Sequence, residues 1–383
     1  MPNRLMFDRA RMSYFPLRER LSKVSIPDAC IKPEAYLKTK EIPASLKLRV
    51  DSIAAEIAKA KKRGASVVCA FGAHSIKNGL GQLLGSLLKK GWFTHLAANG
   101  AAVIHDWEFA FQGKSSEDVH ENVLKGKFGT WEETGLYINL ALALGAYEGL
   151  GYGASVGAMI HKDGLDIPSR EGLFETVNSA IKRNSVDVST YTTNKAAAAL
   201  DLLGLMELLN LRPGFLSVDH LYKEYSLLEA ATQCGRPFTC HPMFGHDIIY
   251  THKANCGAAV GRTAERDFLE YVSSIESLDG GVYLSVGSAV MSPMIFEKAL
   301  SMARNANGGK GIKDCGIHVV DLQEASWDWS GGEPPMDDPA YYLRFMKTFS
   351  RMGCRVDYTS ADNRVFFALL SQSLECQMEN RNE

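Results

Sequence analysis

ASVVCAFGAHSIKNGLGQLLGSLLKKGWFTHLAANGAAVIHD, residues 65–106, holds two short apolar runs on either side of one strongly amphipathic segment. Ser66 to Phe71 is apolar, β-branched and too short for a helix, which predicts a strand buried on both faces. Small and polar residues follow at once (Gly72, Ala73, Ser75, Asn78, Gly79) and predict a turn. Beyond it Leu80, Leu83, Leu84, Leu87 and Leu88 recur at helical spacing. Lys89 and Lys90 suit the negative end of the helix dipole, and Gly91 stops the helix. Phe93 to Ala97 predicts a second buried strand, ending at Asn99-Gly100. Strand, helix and strand of these lengths build a βαβ unit, whose ligands sit at the carboxyl ends of the strands.

A phosphate can approach the exposed N–H groups of a helix N-terminus only where side chains leave room. Gly79, Gly81 and Gly85 are spaced GxGxxxG, but the first glycine falls too late for the regular dinucleotide fingerprint. No acidic residue closes the second strand. Two readings stay open here: a nucleotide-binding turn, or a tight turn whose glycines serve helix packing.

Residues 1–45 mix Arg, Pro and aromatics without periodicity, and are expected to be an arm that packs on the body or on a neighbouring subunit. Residues 46–383 show no composition break and are expected to form a single domain. Leu46 to Lys62 reads as an amphipathic helix, Trp131 to Tyr147 as a long apolar one, Gly149 to Gly157 as a glycine-rich joint, and Tyr191 to Leu209 as another helix. The second half keeps the strand-then-helix rhythm: Pro237 to Cys240, Gly281 to Val286, Ile317 to Asp321 and Cys354 to Tyr358 are strands ending in polar or glycine clusters. The fold class expected is α/β, a Rossmann-like, mostly parallel sheet with helices on both faces. Its carboxyl edge is expected to gather the His105-Asp106 and His246-Asp247 pairs, among other polar groups.

The chain of 383 residues is 46% hydrophobic and 22% charged with a net charge of -2, so nothing marks nucleic acid as its partner. No apolar run approaches a membrane span, and the N-terminus does not read as a signal peptide. Eight scattered cysteines without a CxxC pair suggest reduced thiols in a cytoplasmic protein and no zinc framework. His241, His246 and His252 fit no standard ligand spacing, so no metal is expected.

His105-Asp106 and His246-Asp247 are candidate acid/base and cation-holding pairs, or else groups satisfied by turn hydrogen bonds. The stretch EASWDWSGGEPPMDD places Glu324 and Asp328 beside Trp327, a set suited to a cationic amine by charge and by cation–π attraction. Lys347 follows among Leu343, Phe345, Met346 and Phe349. A lysine there is either an activated amine nucleophile or a side chain that snorkels to water.

Taken in order, FGAHSIKNGLGQLL, HLAANGAAVIHDWE, FGHDII, GGVYLSVGSAV, VDLQEASWDWSGG, FMK and YTSADNRVFFALL resemble the deoxyhypusine synthase family, more closely its bacterial deoxyhypusine synthase-like branch. The resemblance implies an NAD-binding fold, usually a homotetramer with sites at subunit interfaces. It also implies transfer of an aminoalkyl group from a polyamine to an acceptor amine through an enzyme lysine imine. On that likeness Ala73, His74, Asn78, Asn99, Gly100, Asp106, Gly287, Ser288, Ala361 and Asp362 would contact NAD, Asp247 would hold the polyamine, and Lys347 would carry the imine. The family's polyamine-contacting histidine is replaced by Ser292 or Pro293, and its tryptophan two before the lysine by Phe345. The expected function is an NAD-dependent transferase that moves an aminoalkyl group from a polyamine-like donor to an amine acceptor through a lysine imine. The alternatives are a dehydrogenase or hydrolase using His105 or His246 as base, and a non-catalytic nucleotide-binding protein.

Overall fold

The computed structural model describes residues 6–182, 190–309, 311–323 and 327–379. Six strands form one sheet: β1 Val67–Phe71, β2 His95–Ala98, β3 Phe238–Cys240, β4 Val282–Val286, β5 Gly316–Asp321 and β6 Arg355–Ser360. Their spatial order is β3-β2-β1-β4-β5-β6, and every neighbouring pair is parallel. The chain therefore starts in the middle, winds outward to β3, then returns beside β1 and winds the other way. The reversal lies between β1 and β4, where an open α/β sheet leaves a crevice at its carboxyl edge.

The strands are apolar along their whole length because both faces are covered. In β1, Val67, Cys69 and Phe71 join one core, while Val68 and Ala70 join the other. The same alternation in β4 sends Val282, Leu284 and Val286 one way and Tyr283 the other. On the first face lie α1 Ala44–Arg63, α2 Ala73–Lys77, α3 Gly81–Lys89, α4 Gly100–Gln112, α5 Glu132–Glu148, α6 Tyr152–Lys162 and α7 Leu227–Cys234. The second face is covered by α8 Gly257–Glu276, α9 Met291–Ala306 and α10 Arg344–Ser350, and α11 Asn363–Glu379 joins the first core. In α3, Leu83, Leu84, Leu87 and Leu88 are buried, each stabilising the fold by roughly 1.5–3 kcal/mol.

Several expectations are corrected. The α8 helix has no counterpart in the reading above. The supposed joint at 149–157 is a helix boundary: Gly149, with φ 87°, ends α5, and α6 begins at Tyr152. The glycines of GxGxxxG serve packing, since a Cβ would lie 2.0 Å from the Ala29 carbonyl at Gly79, 2.7 Å from that of Tyr225 at Gly81, and 2.9 Å from the Ala230 Cβ at Gly85. Cys315 and Cys354 form a disulfide, contrary to the expectation of reduced thiols. They precede β5 and β6, whose register pairs Gly316 with Arg355 and so sets the two cysteines side by side. The six other cysteines are free.

Within the first 45 residues Val24–Ser25 pairs antiparallel with Lys114–Ser115, and the Ile31 amide donates to the Gly79 carbonyl at 3.0 Å. This segment lies on the body of its own chain. No described helix is long and apolar enough to cross a membrane.

Candidate functional site

The crevice at the strand reversal is floored by the turns after β1 and β4. The Gly72 amide donates to the Val286 carbonyl at 3.2 Å, and a Cβ on Gly72 would lie 2.2 Å from the Gly287 carbonyl oxygen. Only glycine lets the two strand ends approach so closely. A cavity opens above them, lined by Gly72, Ala73, His74, Asn99, Gly100 and Ser288 and bounded by His241, His246, Asp247 and Met291. The first turns of α4 and α9 both reach it. Asn99 starts α4 by accepting from the Ala102 amide at 3.1 Å, a cap that contributes about 1 kcal/mol.

Asp247 sits between this cavity and a second one. Its carboxylate lies against α4, with Oδ2 2.2 Å from where a Gly100 Cβ would be. Although it precedes the short helical turn Ile248–Thr251, its side chain makes no capping bond, and Oδ2 is buried without a partner. Burial pushes the carboxyl up to about 6, with His246 pulling the other way. Because the folded value lies above the ordinary carboxylate value, the folded state binds the extra proton. Stability contributed by that proton is therefore lost as pH rises from about 4 to about 6. Asp247→Asn is expected to raise stability by about 2 kcal/mol above pH 6 and to change little near pH 4. Urea unfolding at the two pH values checks this, and an equal effect at both would refute it.

The second cavity, about 200 Å³, lies on the other side of Asp247, between α4 and the segment after it, and is lined in part by Lys77, His105, Ser116, Phe128 and His246. Ser116 is a non-glycine residue held at φ 66°, a conformation that costs energy and persists only where surroundings impose it. Its hydroxyl is buried and unpartnered. His105 uses Nδ1 on the Ser115 hydroxyl at 2.7 Å, and no described residue takes up Nε2. Burial pushes this imidazole down to about 4, Glu108 opposing. Behind it Glu108 accepts from Ser115 at 2.5 Å, from Thr134 at 2.9 Å, and from both terminal nitrogens of Arg20 at 2.7 Å. Burial alone would raise the Glu108 carboxyl, but the Arg20 charge and hydrogen bonds outweigh it and hold the group below its ordinary value.

Ala73, His74, Asn99, Gly100, His246, Asp247, Gly287 and Ser288 are thus gathered round the first cavity, and His105 with His246 and Asp247 round the second. Asp106 and the other candidates lie elsewhere. His105 and Asp106 are within α4 and not on a sheet-edge loop; the helix is apolar on most sides, so the polar pair read as its end. Asp106 points away from both cavities' linings and accepts from the Ser226 hydroxyl and the Leu227 and Leu228 amides at 2.6, 2.8 and 3.1 Å, capping α7. Asn78 donates to Asn363 at 3.0 Å, tying α2 to α11. Asp362 is engaged by Arg364 at 2.8 Å, and neither it nor Ala361 lines the crevice.

Lys347 also lies outside both linings. Its Nζ stands 3.3 Å from the Tyr341 ring centroid and 4.0 Å from Glu333. Trp327 spends its indole N–H on the Gly332 carbonyl at 3.0 Å; Asp328 is exposed, and Glu324 is outside the described residues. Sequence reading missed Arg20, Glu108, Ser115 and Ser116 as site-builders. Only the position of Glu108 one helical turn after His105 pointed to them. Among the described residues no group of His, Cys, Asp and Glu is arranged to hold a metal.

No protein-family model matches the chain, and no curated protein matches it. Among solved structures it is similar to AgrE in complex with ornithine and NAD+, at 14% identity and TM-score 0.41, over 89% of this chain and 34% of that one. The chain therefore spans about a third of that protein's length. A provisionally named LOR/SDH protein from Methanococcus maripaludis S2 is 13% identical with TM-score 0.42, over 99% of this chain and 76% of the other. A provisionally named deoxyhypusine synthase from Entamoeba histolytica is 10% identical with TM-score 0.37, over 95% and 97%. Likenesses this distant assign no activity, and the α/β fold stands on the strand order and register of its own parallel sheet.

Proposed function

We propose that the protein binds a nicotinamide dinucleotide at the strand reversal and uses it to take a hydride from a small amine held in the adjoining cavity. The observation that carries this reading is the set of polar side chains that line that cavity: Asp247 and Ser116, whose Oδ2 and Oγ are buried in its wall without a partner, and His105, whose Nε2 no described residue takes up. An acidic carboxylate and a bare imidazole nitrogen are acceptors, so their complement is a ligand rich in N–H donors, an ammonium group above all. The fit for a dinucleotide rests on the crevice itself. Its floor of Gly72, Ala73, Gly287 and Ser288 is made of small residues, and a Cβ at Gly72 would push the Gly287 carbonyl out of place. Asp247 occupies the N-terminal end of α4, so a phosphate is better received at α9.

When bound, a nicotinamide supplies the hydride acceptor. The chain's own residues supply the rest. Asp247 holds the cationic nitrogen, and His105 Nε2 takes one proton from it as the C–H hydride leaves. A primary ammonium that loses H⁻ from carbon and H⁺ from nitrogen becomes an iminium, and charge balances. Because the carboxylate must be ionised to hold the ammonium, amine affinity is expected to strengthen as pH rises through about 6.

The test is incubation with NAD and, separately, spermidine, putrescine and agmatine, following reduced-nicotinamide absorbance, with NAD binding measured by calorimetry. Failure of NAD to bind, or binding without reduction by any of the three amines, sinks the reading.

Onward transfer of the aminoalkyl group through a Lys347 imine is a second reading. It requires another copy of the chain to bring the lysine to the cavity. An exposed apolar rim at Val119, Val123 and Leu124, 52%, 55% and 73% exposed, favours a covering copy there. Borohydride reduction followed by mass analysis of the Lys347 peptide distinguishes this reading: an NAD-dependent aminoalkyl adduct supports it, and an unmodified lysine under turnover excludes it.

A further inference from the structure

The buried chain Arg20–Glu108–Ser115–His105 has only one consistent assignment of its protons. Arg20 grips both oxygens of Glu108 at 2.7 Å, and Thr134 donates to one of them at 2.9 Å. The carboxylate can only accept. Ser115 stands 2.5 Å from Glu108 Oε2 and 2.7 Å from His105 Nδ1. A hydroxyl has one proton, and the carboxylate claims it, so Ser115 can meet the imidazole only as an acceptor. The proton between Ser115 and His105 therefore belongs to Nδ1. A neutral imidazole protonated at Nδ1 carries its lone pair at Nε2, the nitrogen left free where His105 lines the second cavity.

We propose that Ser115 and Glu108 are positioning residues that hold His105 in its Nδ1–H tautomer, presenting Nε2 to the cavity as the acceptor of the substrate's proton. Its role toward an amine rests on the function proposed above; the tautomer does not. The charged and titratable groups facing His105 are Glu108, Lys77, Arg20 and His74. Glu117, His246 and Asp247 stand round the same cavity, and Glu108, the carboxylate that acts most strongly on the ring, is already saturated by four donors. Burial then keeps the ring neutral, as a base must be before it acts. Strand pairing supplies the geometry. Ser115 is held opposite Val24, and Arg20 arrives from the same N-terminal segment, so that segment completes a site whose histidine lies in α4.

The full chain, with ring-¹⁵N histidine, tests this by nitrogen chemical shift, His105 being assigned from the resonance lost in His105→Gln. The expected result near neutral pH is a protonated Nδ1 and a bare Nε2 in the unsubstituted protein. Ser115→Ala should mix or reverse the two, and Glu108→Gln, whose amide can donate to Ser115, should favour Nε2–H. An Nε2–H tautomer in the unsubstituted protein overturns the proposal whether or not either variant folds; so does a Ser115→Ala spectrum with His105 unchanged. With an amine that reduces NAD, Ser115→Ala should lower kcat while leaving KM within about twofold, by less than the roughly 10²–10⁴-fold that removing a general base costs. Turnover with the wrong tautomer overturns this proposal and spares the function. The expected tautomer with no amine oxidised does the reverse.

Discussion

Arg20→Ala should destabilise the protein by about 3–5 kcal/mol, because it leaves the carboxylate of Glu108 buried without its counter-charge. The side chains of the pair are 2% and 1% exposed, so water cannot take over what the guanidinium provides. Urea unfolding near neutral pH measures the loss, and a change below about 1 kcal/mol would show that the pair is wetter than its geometry implies. The sign of the pH dependence follows. Glu108 has a folded value below its ordinary one, so its stabilising contribution is present above the ordinary glutamate value and is lost as pH falls through the folded value. In Arg20→Ala that acid-side loss should vanish. Replacing both partners by apolar residues, Arg20→Met with Glu108→Leu, should recover most of the stability, since no unpaired charge remains. The double variant would nevertheless lose the group that orders Ser115.

His105→Gln should lower the rate of amine-dependent NAD reduction by roughly 10²–10⁴-fold, the contribution of a positioned general base. NAD affinity should stay within about twofold, because the crevice proposed for the dinucleotide is on the far side of Asp247 and His105 does not line it. Stability should fall by only about 1 kcal/mol, one hydrogen bond to Ser115 being lost or remade by the amide. Single-turnover measurement with saturating NAD separates these effects. An unchanged rate would remove His105 from the chemistry and leave His246, exposed at the cavity mouth, as the imidazole to examine. An equal fall in NAD affinity would show instead that the two cavities act as one.

The parallel sheet was legible because its strands must be apolar on both faces, and such runs followed by small-residue turns stand out against amphipathic helices. The turns at Gly72, Asn99-Gly100 and Gly287-Ser288 were legible for the same reason: each ends a strand, and a strand's carboxyl end in such a sheet faces the crevice. Reading failed where polar residues are buried for structural reasons. Asp106 looks like a site residue in sequence, yet its carboxylate closes the N-terminus of α7, some 120 residues downstream. Lys347 and Trp327 suggested an amine site by composition, and in the fold they meet Tyr341, Glu333 and Gly332.

What the chain's own order of residues determined is the set of elements, since hydrophobic period and turn chemistry are local properties. Which strand lies beside which, and therefore that Gly72 meets Gly287 and not another turn, was decided only when the two cores closed on either face of the sheet. The same holds for Arg20, Glu108 and Ser115. Burying a carboxylate that stays ionised requires a partner within a few ångströms, and for Glu108 that partner comes from a segment 88 residues away in sequence, a distance no periodicity encodes. The tautomer of His105 is one step further removed, a consequence of how many protons one buried serine hydroxyl has to give.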